Sequence, residues 1–370
     1  MLRLLAAAAL LTVASPAFAD DKDKPKPNTL TPKEIADGWL LLFDGETTFG
    51  WNIDGTAKVK DGALVLTGEA TVATVAACAT HFASYELQME TKGAGSINMH
   101  ANGIDYSARL SNRDTVVRVT VSADPARGST VEDTTKVGAD GVAITTITAT
   151  TQGRPTILRL DVPAGGTLSF KSVKLRPLDT KPLFTGKNLN GWKVNAADPK
   201  RMASKWEVTK DGELSVKNGP GDLVCEKEFD NFVLQFECKT NGKALNSGFF
   251  FRCIPGQYQN GYEAQIQNAY KDNDRTKPAD FGTGAIYRRV PARKVVSDDN
   301  EWFTMTVVAD GRHIATWVNG YQTVDWTDDR KESENPRQGY RAAKGPLSIQ
   351  GHDPTTDILF RNIRIAELPK

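Results

Sequence analysis

Four stretches of this sequence occur twice, in the same order. F-D-G-E-T-T-F-G-W, ending at Trp51, matches F-T-G-K-N-L-N-G-W, ending at Trp192. K-D-G-A-L-V-L from Lys60 matches K-D-G-E-L-S-V from Lys210. Y-E-L-Q-M-E, ending at Glu90, matches F-V-L-Q-F-E, ending at Glu237, and L-S-F-K-S-V-K-L-R-P-L, ending at Leu178, matches L-F-R-N-I-R-I-A-E-L, ending at Leu368. Chance does not keep four matches in order, so the chain holds two copies of one fold, with a boundary near Asp179-Thr180. Each copy is long enough for a core of its own, which makes them tandem domains and not turns of a solenoid.

The copies read as all-β. Asp61-Gly62, Asp211-Gly212, Asp310-Gly311 and Asn319-Gly320 separate strand-like runs, and such dipeptides accept the positive φ of tight hairpins. No long stretch has helical periodicity. The 31 Gly and 18 Pro suit a turn-rich chain. Many half-apolar antiparallel strands predict two packed sheets per copy, a sandwich or jelly roll. The divisions expected are a degenerate domain over 37–178 and a second domain over 180–370. The first copy is weaker in its middle: 115–151 is rich in Thr, Val and Ala, with no counterpart of G-Y-E-A-Q-I.

Residues 1–19 read as an export signal: Arg3, an apolar run from Leu4 to Val13, and Ala17-Phe18-Ala19 before Asp20. The run is too short to span a bilayer. A charged, Pro-rich flexible leader is expected over 20–36. These features predict an exported protein, periplasmic or extracellular, with no membrane insertion. A net charge of +1 argues against a nucleic-acid partner. Export permits disulfides, but Cys78, Cys225, Cys238 and Cys253 read as buried free thiols, and no spacing suggests zinc.

The stretch from Asn246 to Ile266 carries the chemistry. Gly248, Phe250 and Arg252 alternate with Phe249 and Phe251; Glu263, Gln265 and Gln267 alternate with Tyr262, Ala264 and Ile266. Folded as a hairpin about Pro255-Gly256, Arg252 falls roughly opposite Glu263. One face then offers an acid, a base and two amides, with Gly248 leaving room: the hydrogen-bonding row that a sugar site needs. A solvated sheet face with a cross-strand ion pair has the same pattern.

G-Y-E-A-Q-I, with N-S-G-F-F-F-R, T-G-A-I-Y, W-V-N-G, and G-P-L-S-I-Q-G-H followed by F-R-N-I-R-I, resembles the 3-keto-disaccharide hydrolase family, also described as 3-keto-glucoside 1,2-lyase and 3-keto-2-hydroxy-glucal hydratase. The resemblance covers about 181–369. It implies a concanavalin A-like jelly roll and cleavage of an oligosaccharide or glycoside already oxidised at C3 by a separate oxidoreductase. Under it, Glu263 and His352 are rival bases and Arg252 serves the enolate oxygen. Asn246, Gln265, Gln350 and Tyr287 bind the sugar, and Glu237 lines the same concavity. No cofactor is assigned. Asp272, Asp274, Asp353 and Asp357 are the visible oxygen donors for a divalent metal, but none has calcium-loop spacing. A non-catalytic saccharide-binding module, or an ordinary glycoside hydrolase with two carboxylates across the bond, would use the same face.

Overall fold

A computed structural model describes residues 28–93, 95–101, 104–110, 118–123, 130–137, 142–150 and 155–369. The export signal and the first part of the leader lie outside the described residues. The leader's last part is not flexible coil: Pro32–Ala36 is a short helix, with Thr31 and Glu34 closing a capping box. Thr31 and Glu34 of T-P-K-E signal this box, and Glu34 also pairs with Lys174 on the first copy.

The chain is all-β, in two tandem jelly-roll sandwiches. The first pairs a 7-stranded with a 6-stranded antiparallel sheet, and the second an 8-stranded with a 5-stranded one. Two-residue turns close the hairpins at Asp61-Gly62 and Asn319-Gly320, where all four residues have positive φ. The repeat reappears as matching contacts. Trp51 donates its indole N–H to Leu42 O and Trp192 to Leu183 O, nine residues back in each case. Trp51 pairs across the ladder with Cys78, and Trp192 with Cys225. All four cysteines are buried free thiols.

Within the second sandwich the inward faces of the two sheets meet in an aromatic core. Phe236 stacks on Phe249 at 4.6 Å, and Phe251 on Tyr262 at 5.5 Å. The first core is not closed by its own residues. Val308, Ala315 and Trp317 of the second copy complete it. Trp317 is buried against Phe82 and donates its indole N–H to Leu41 O at 2.9 Å. Polar contacts surround this seam: Arg293 reaches Asp44 at 2.8 Å, and Gln235 donates to Gly38 O at 3.0 Å.

Candidate active site

The 5-stranded sheet runs Trp192–Val194, Gly221–Phe229, Gly345–Gly351, Ser247–Phe251, Tyr262–Ile266 in spatial order. Its inner face is core. Its outer face carries Glu263 and Gln265 on the last strand, Gly248 and Phe250 on the next, and Ser348 and Gln350 on the third. This alternation is the one the sequence predicts. Over the face lies a cavity of about 440 Å³. A second wall comes from Ile286 to Arg289, which follows the edge of the Glu263 strand: Tyr287 N–H donates to Glu263 O, and Gly284 N–H to Gln265 O. Pro336 and Arg337 close a third side.

Six of the predicted residues line this cavity: Glu263, His352, Asn246, Gln265, Tyr287 and Gln350. Two do not. Arg252 is fully buried between the sheets, donating to Asp230 O (3.0 Å), Gly311 O (2.7 Å) and Asn231 Oδ1 (3.1 Å). The ladder ends at Phe251–Tyr262, so Phe250 and not Arg252 stands opposite Glu263. The connection is a long loop, and Arg252 enters it at φ 48°, which turns its side chain inward. Glu237 sits on the outer face of the other sheet, held by Arg361 at 2.8 Å and by the Asn362 amide. The sheet alternation that keeps Phe236 in the core turns Glu237 away from the cavity.

The Glu263 carboxyl is pushed up to about 8, first by burial and next by the nearby Asp280, against the pull of Arg288 and Arg337. Phe250 across the ladder supplies part of that apolar cover. Gly248 supplies the room: a Cβ there would stand 2.7 Å from Glu263 Cγ and 2.9 Å from its Cδ. The expected pull from Arg252 is replaced by the opposite shift, which suits a base. Among the described residues the Glu263 carboxyl has no hydrogen-bond or ion-pair partner.

His352 is half-exposed. Its Nδ1 is 2.7 Å from Asp353 Oδ2, and Asp353 is itself fixed by Thr355. Those contacts hold the Asp353 carboxyl below its ordinary range, the Thr355 hydroxyl first and His352 after it. Nε2 is left as the ring nitrogen without a protein partner among the described residues. Asn246 donates to Asp280 Oδ2 at 2.8 Å, and the Tyr287 ring meets Phe281 edge-on at 5.2 Å.

Sequence reasoning missed the arginines. Arg288 and Arg289 follow T-G-A-I-Y directly, but a pair of exposed cations has no signature. Arg337 comes from a loop remote in sequence. Gln259 was also missed; it sits at φ 46°, with its N–H on Asp222 Oδ2 and its carbonyl accepting from Arg337. Asp222 is buried beneath it, and burial pushes its carboxyl up to about 6. The oxygen donors considered for a metal are otherwise engaged: Asp272 and Asp274 with Lys277, Asp357 with Asn241. Among the described residues no three His, Cys, Asp or Glu side chains gather to hold an ion.

The strand register shows what the first copy has at the same places. Ala76 pairs with Leu160 as Leu223 pairs with Ile349. Leu160 pairs with Ile97 as Ile349 pairs with Phe249, and Ile97 pairs with Ala108 as Phe249 pairs with Ala264. Glu263 precedes Ala264; Ser107 precedes Ala108. By the same count Asp161 stands for Gln350 and Pro163 for His352. The strand missing from the sequence comparison is therefore present in the backbone, without the acid.

The chain is 25% identical over 233 residues to a 3-keto-disaccharide hydrolase of Bacteroides thetaiotaomicron, covering 50% of this chain and 77% of that protein. Two crystal structures of proposed glycosyl hydrolases from Parabacteroides distasonis are also similar. One is 24% identical with a TM-score of 0.42, over 51% of this chain and 94% of the other. The second is 28% identical with a TM-score of 0.39, over 51% and 100%. The model of the 3-keto-alpha-glucoside-1,2-lyase-like domain matches residues 179–366, half of the chain and all of the cavity's residues, and the chain belongs to that family.

Proposed function

We propose that the second sandwich cleaves glycosides oxidised at C3, by proton abstraction at C2, elimination at C1 and hydration. The observation that carries the reading is Glu263: a carboxyl without a partner on a cavity wall, with its proton affinity raised toward neutrality by burial. A ketone at C3 acidifies the C2 hydrogen. Glu263 takes that proton, and the electron pair delocalises onto the C3 oxygen as an enolate. Arg288 and Arg337, which face Glu263 electrostatically, favour that negative charge. The pair then returns to form C1=C2 as the C1–O bond breaks. The leaving oxygen takes a proton from His352 Nε2 or back from Glu263. Water adds across the double bond, hydroxyl to C1 and hydrogen to C2, to give the 3-keto sugar. The net change is hydrolysis, with no electron transfer.

The first copy, with Ser107 in the place of Glu263, has no part in this chemistry in our reading. Export rests on residues 1–19 alone, and the ketone must come from a separate oxidoreductase. The test offers the purified full chain a 3-keto-glucoside and the unoxidised glycoside, and follows C2 hydrogen–deuterium exchange by NMR. Exchange and cleavage of the first alone are expected. Cleavage of the unoxidised glycoside would instead indicate ordinary hydrolysis, and binding without cleavage a binding module.

A further inference from the structure

Two buried amide oxygens at the cavity wall lack a hydrogen-bond partner among the described residues. They are Oε1 of Gln265, which is 1% exposed, and Oε1 of Gln350, which is 5% exposed. An unmatched buried acceptor costs about 1–3 kcal/mol, so the pair is informative. Gln265 is locked so that oxygen and not nitrogen is presented, and Gln350 is oriented the same way by its contact with Gln259. Gln265 Nε2 donates to Asp280 O at 3.1 Å and Asp280 Oδ2 at 3.2 Å, groups that cannot donate back. Gln350 Nε2 donates to Gln259 Oε1 at 2.9 Å. The Gln259 main chain is pinned by Asp222 and Arg337, and its Nε2 donates to the Tyr258 hydroxyl.

Their placement is specific. Gly248 pairs with Gln265, and the Phe249–Ile349 pair puts Gln350 beside Gly248 on its other side. The three positions form a row across adjacent strands, each step about 4.8 Å. Glu263 folds over the middle position, Gly248. An acid is therefore flanked by two acceptors.

We propose that Gln265 and Gln350 are a hydroxyl-reading pair that selects the ring lying over Glu263 by its free hydroxyls at C2 and C4. The inference rests on the reading of Glu263 as the base. In a ring oxidised at C3 the carbonyl has no proton to donate, and the hydroxyls on its two sides are those at C2 and C4. They flank the reacting region as the two amide oxygens flank the carboxyl. A ring substituted at O4 presents no donor to its acceptor. The substrate is thus a single glycoside or a chain-terminal ring, and an internal 1,4-linked ring is refused.

The experiment compares 3-keto-glucosides that are otherwise intact, 4-deoxy or 6-deoxy, on the full chain, with Gln265→Met and Gln350→Met as partners. In the wild type, removal of the C4 hydroxyl should lower kcat/KM by about 10- to 100-fold, the loss from one unmatched buried acceptor. Removal of the C6 hydroxyl should cost less than about threefold, since neither amide of the pair reads it. One of the two Met variants should no longer distinguish the 4-deoxy compound from the intact one, and the other should still do so. A 4-deoxy compound processed as well as the parent by the wild type, or a penalty unchanged in both variants, overturns the inference. Titration of the unoxidised methyl glucoside and its 4-deoxy analogue makes the same comparison in binding alone. A binding penalty without any cleavage would sink the lyase reading and leave the hydroxyl-reading pair standing. Equal affinities, or no binding of either glucoside together with no cleavage, would sink the pair as well.

Discussion

Glu263 lies folded over Gly248, in space that any side chain at position 248 would occupy. A Cβ there would meet the Glu263 Cγ, Cδ and carboxyl oxygen inside van der Waals contact. The backbone of Gly248 is ordinary strand, so alanine is excluded by space and not by conformation. Gly248→Ala should displace the carboxyl. Displacement by about 1 Å can cost about 10²-fold in rate, and that is the loss expected in kcat/KM. Overpacking of this kind costs about 1–3 kcal/mol in stability, so a thermal melt should show a modest decrease. Unchanged turnover would mean that the Glu263 carboxyl is not where the chemistry occurs.

The raised proton affinity of Glu263 gives two pH signatures. A base must be ionised, so kcat/KM should rise with pH and level off above about 8. Stability moves the other way. Below the unfolded value of 4.5 both states hold the proton and nothing is lost. Between 4.5 and about 8 the unfolded chain releases it while the native state keeps it, so stability falls as pH rises, and the cost is constant above that window. Glu263→Gln removes the slope. It should therefore melt on the order of a few degrees above the wild type at pH 9 and level with it at pH 4, while losing the rate limb.

His352 and Asp353 act as a unit. The 2.7 Å contact to Asp353 fixes Nδ1 and leaves Nε2 for the leaving oxygen. His352→Ala should lower kcat by about 10²–10⁴-fold, the usual cost of a lost acid or base. Asp353→Asn should cost less, because the ring loses its carboxylate anchor but keeps the nitrogen that meets the substrate. Both residues are at the surface, so melts should barely change. A kcat equal to the wild type in Asp353→Asn would rule out the coupling.

Period-two alternation made the site face legible. Glu263, Gln265 and Gln350 share the outer face of one sheet because Tyr262, Ala264 and Ile349 must share the inner one. That logic has no access to where pairing stops. Pro255-Gly256 suggested a tight connection, but the ladder closes at Phe251–Tyr262, which leaves Arg252 past the strand end, where φ 48° turns it to the interior. The arginine wall was illegible for another reason: Arg288, Arg289 and Arg337 reach the cavity from loops, whose positions follow from tertiary contacts such as Arg289 on the Pro336 and Arg337 carbonyls. The strand that carries Ser107 was hidden because a backbone can keep its register after the residues that mark it have changed.

Arg252 is a structural cation. It ties the end of the Ser247–Phe251 strand to Asp230 and Asn231, which link the two sheets, and to Gly311 in a turn of the 8-stranded sheet. Arg252→Ala takes the guanidinium donors from Asp230 O and Gly311 O, while Asn231 Oδ1 keeps the Gly311 N–H, and each group left unmatched costs about 1–3 kcal/mol. A large fall in melting temperature is expected. Activity per folded molecule at low temperature should be within about tenfold of the wild type, less than the loss of a catalytic group. A rate loss of the Glu263→Gln size in a well-folded Arg252→Ala protein would return Arg252 to the chemistry.

The seam between the copies sets the last expectation. The repeat alone predicts that 180–370 should fold without the first copy. The structure places Trp317 of the second copy in the first copy's core, with Val308 and Ala315 beside it and its indole N–H on Leu41 O. Excision of the first copy would bare this apolar patch and strand that donor, along with Arg293, whose guanidinium lies 4.0 Å from the Phe49 ring centroid and 2.8 Å from Asp44 Oδ2. The cavity is on the opposite, 5-stranded sheet, so its residues would not be removed. The excised copy should therefore be active but markedly less stable, and prone to associate through the bared face. In the full chain, Trp317→Ala should cost about 3–5 kcal/mol, read as a lowered melt with near-normal kcat/KM. If the excised copy were monomeric, with the melting temperature of the full chain, the shared core would contribute nothing to its stability.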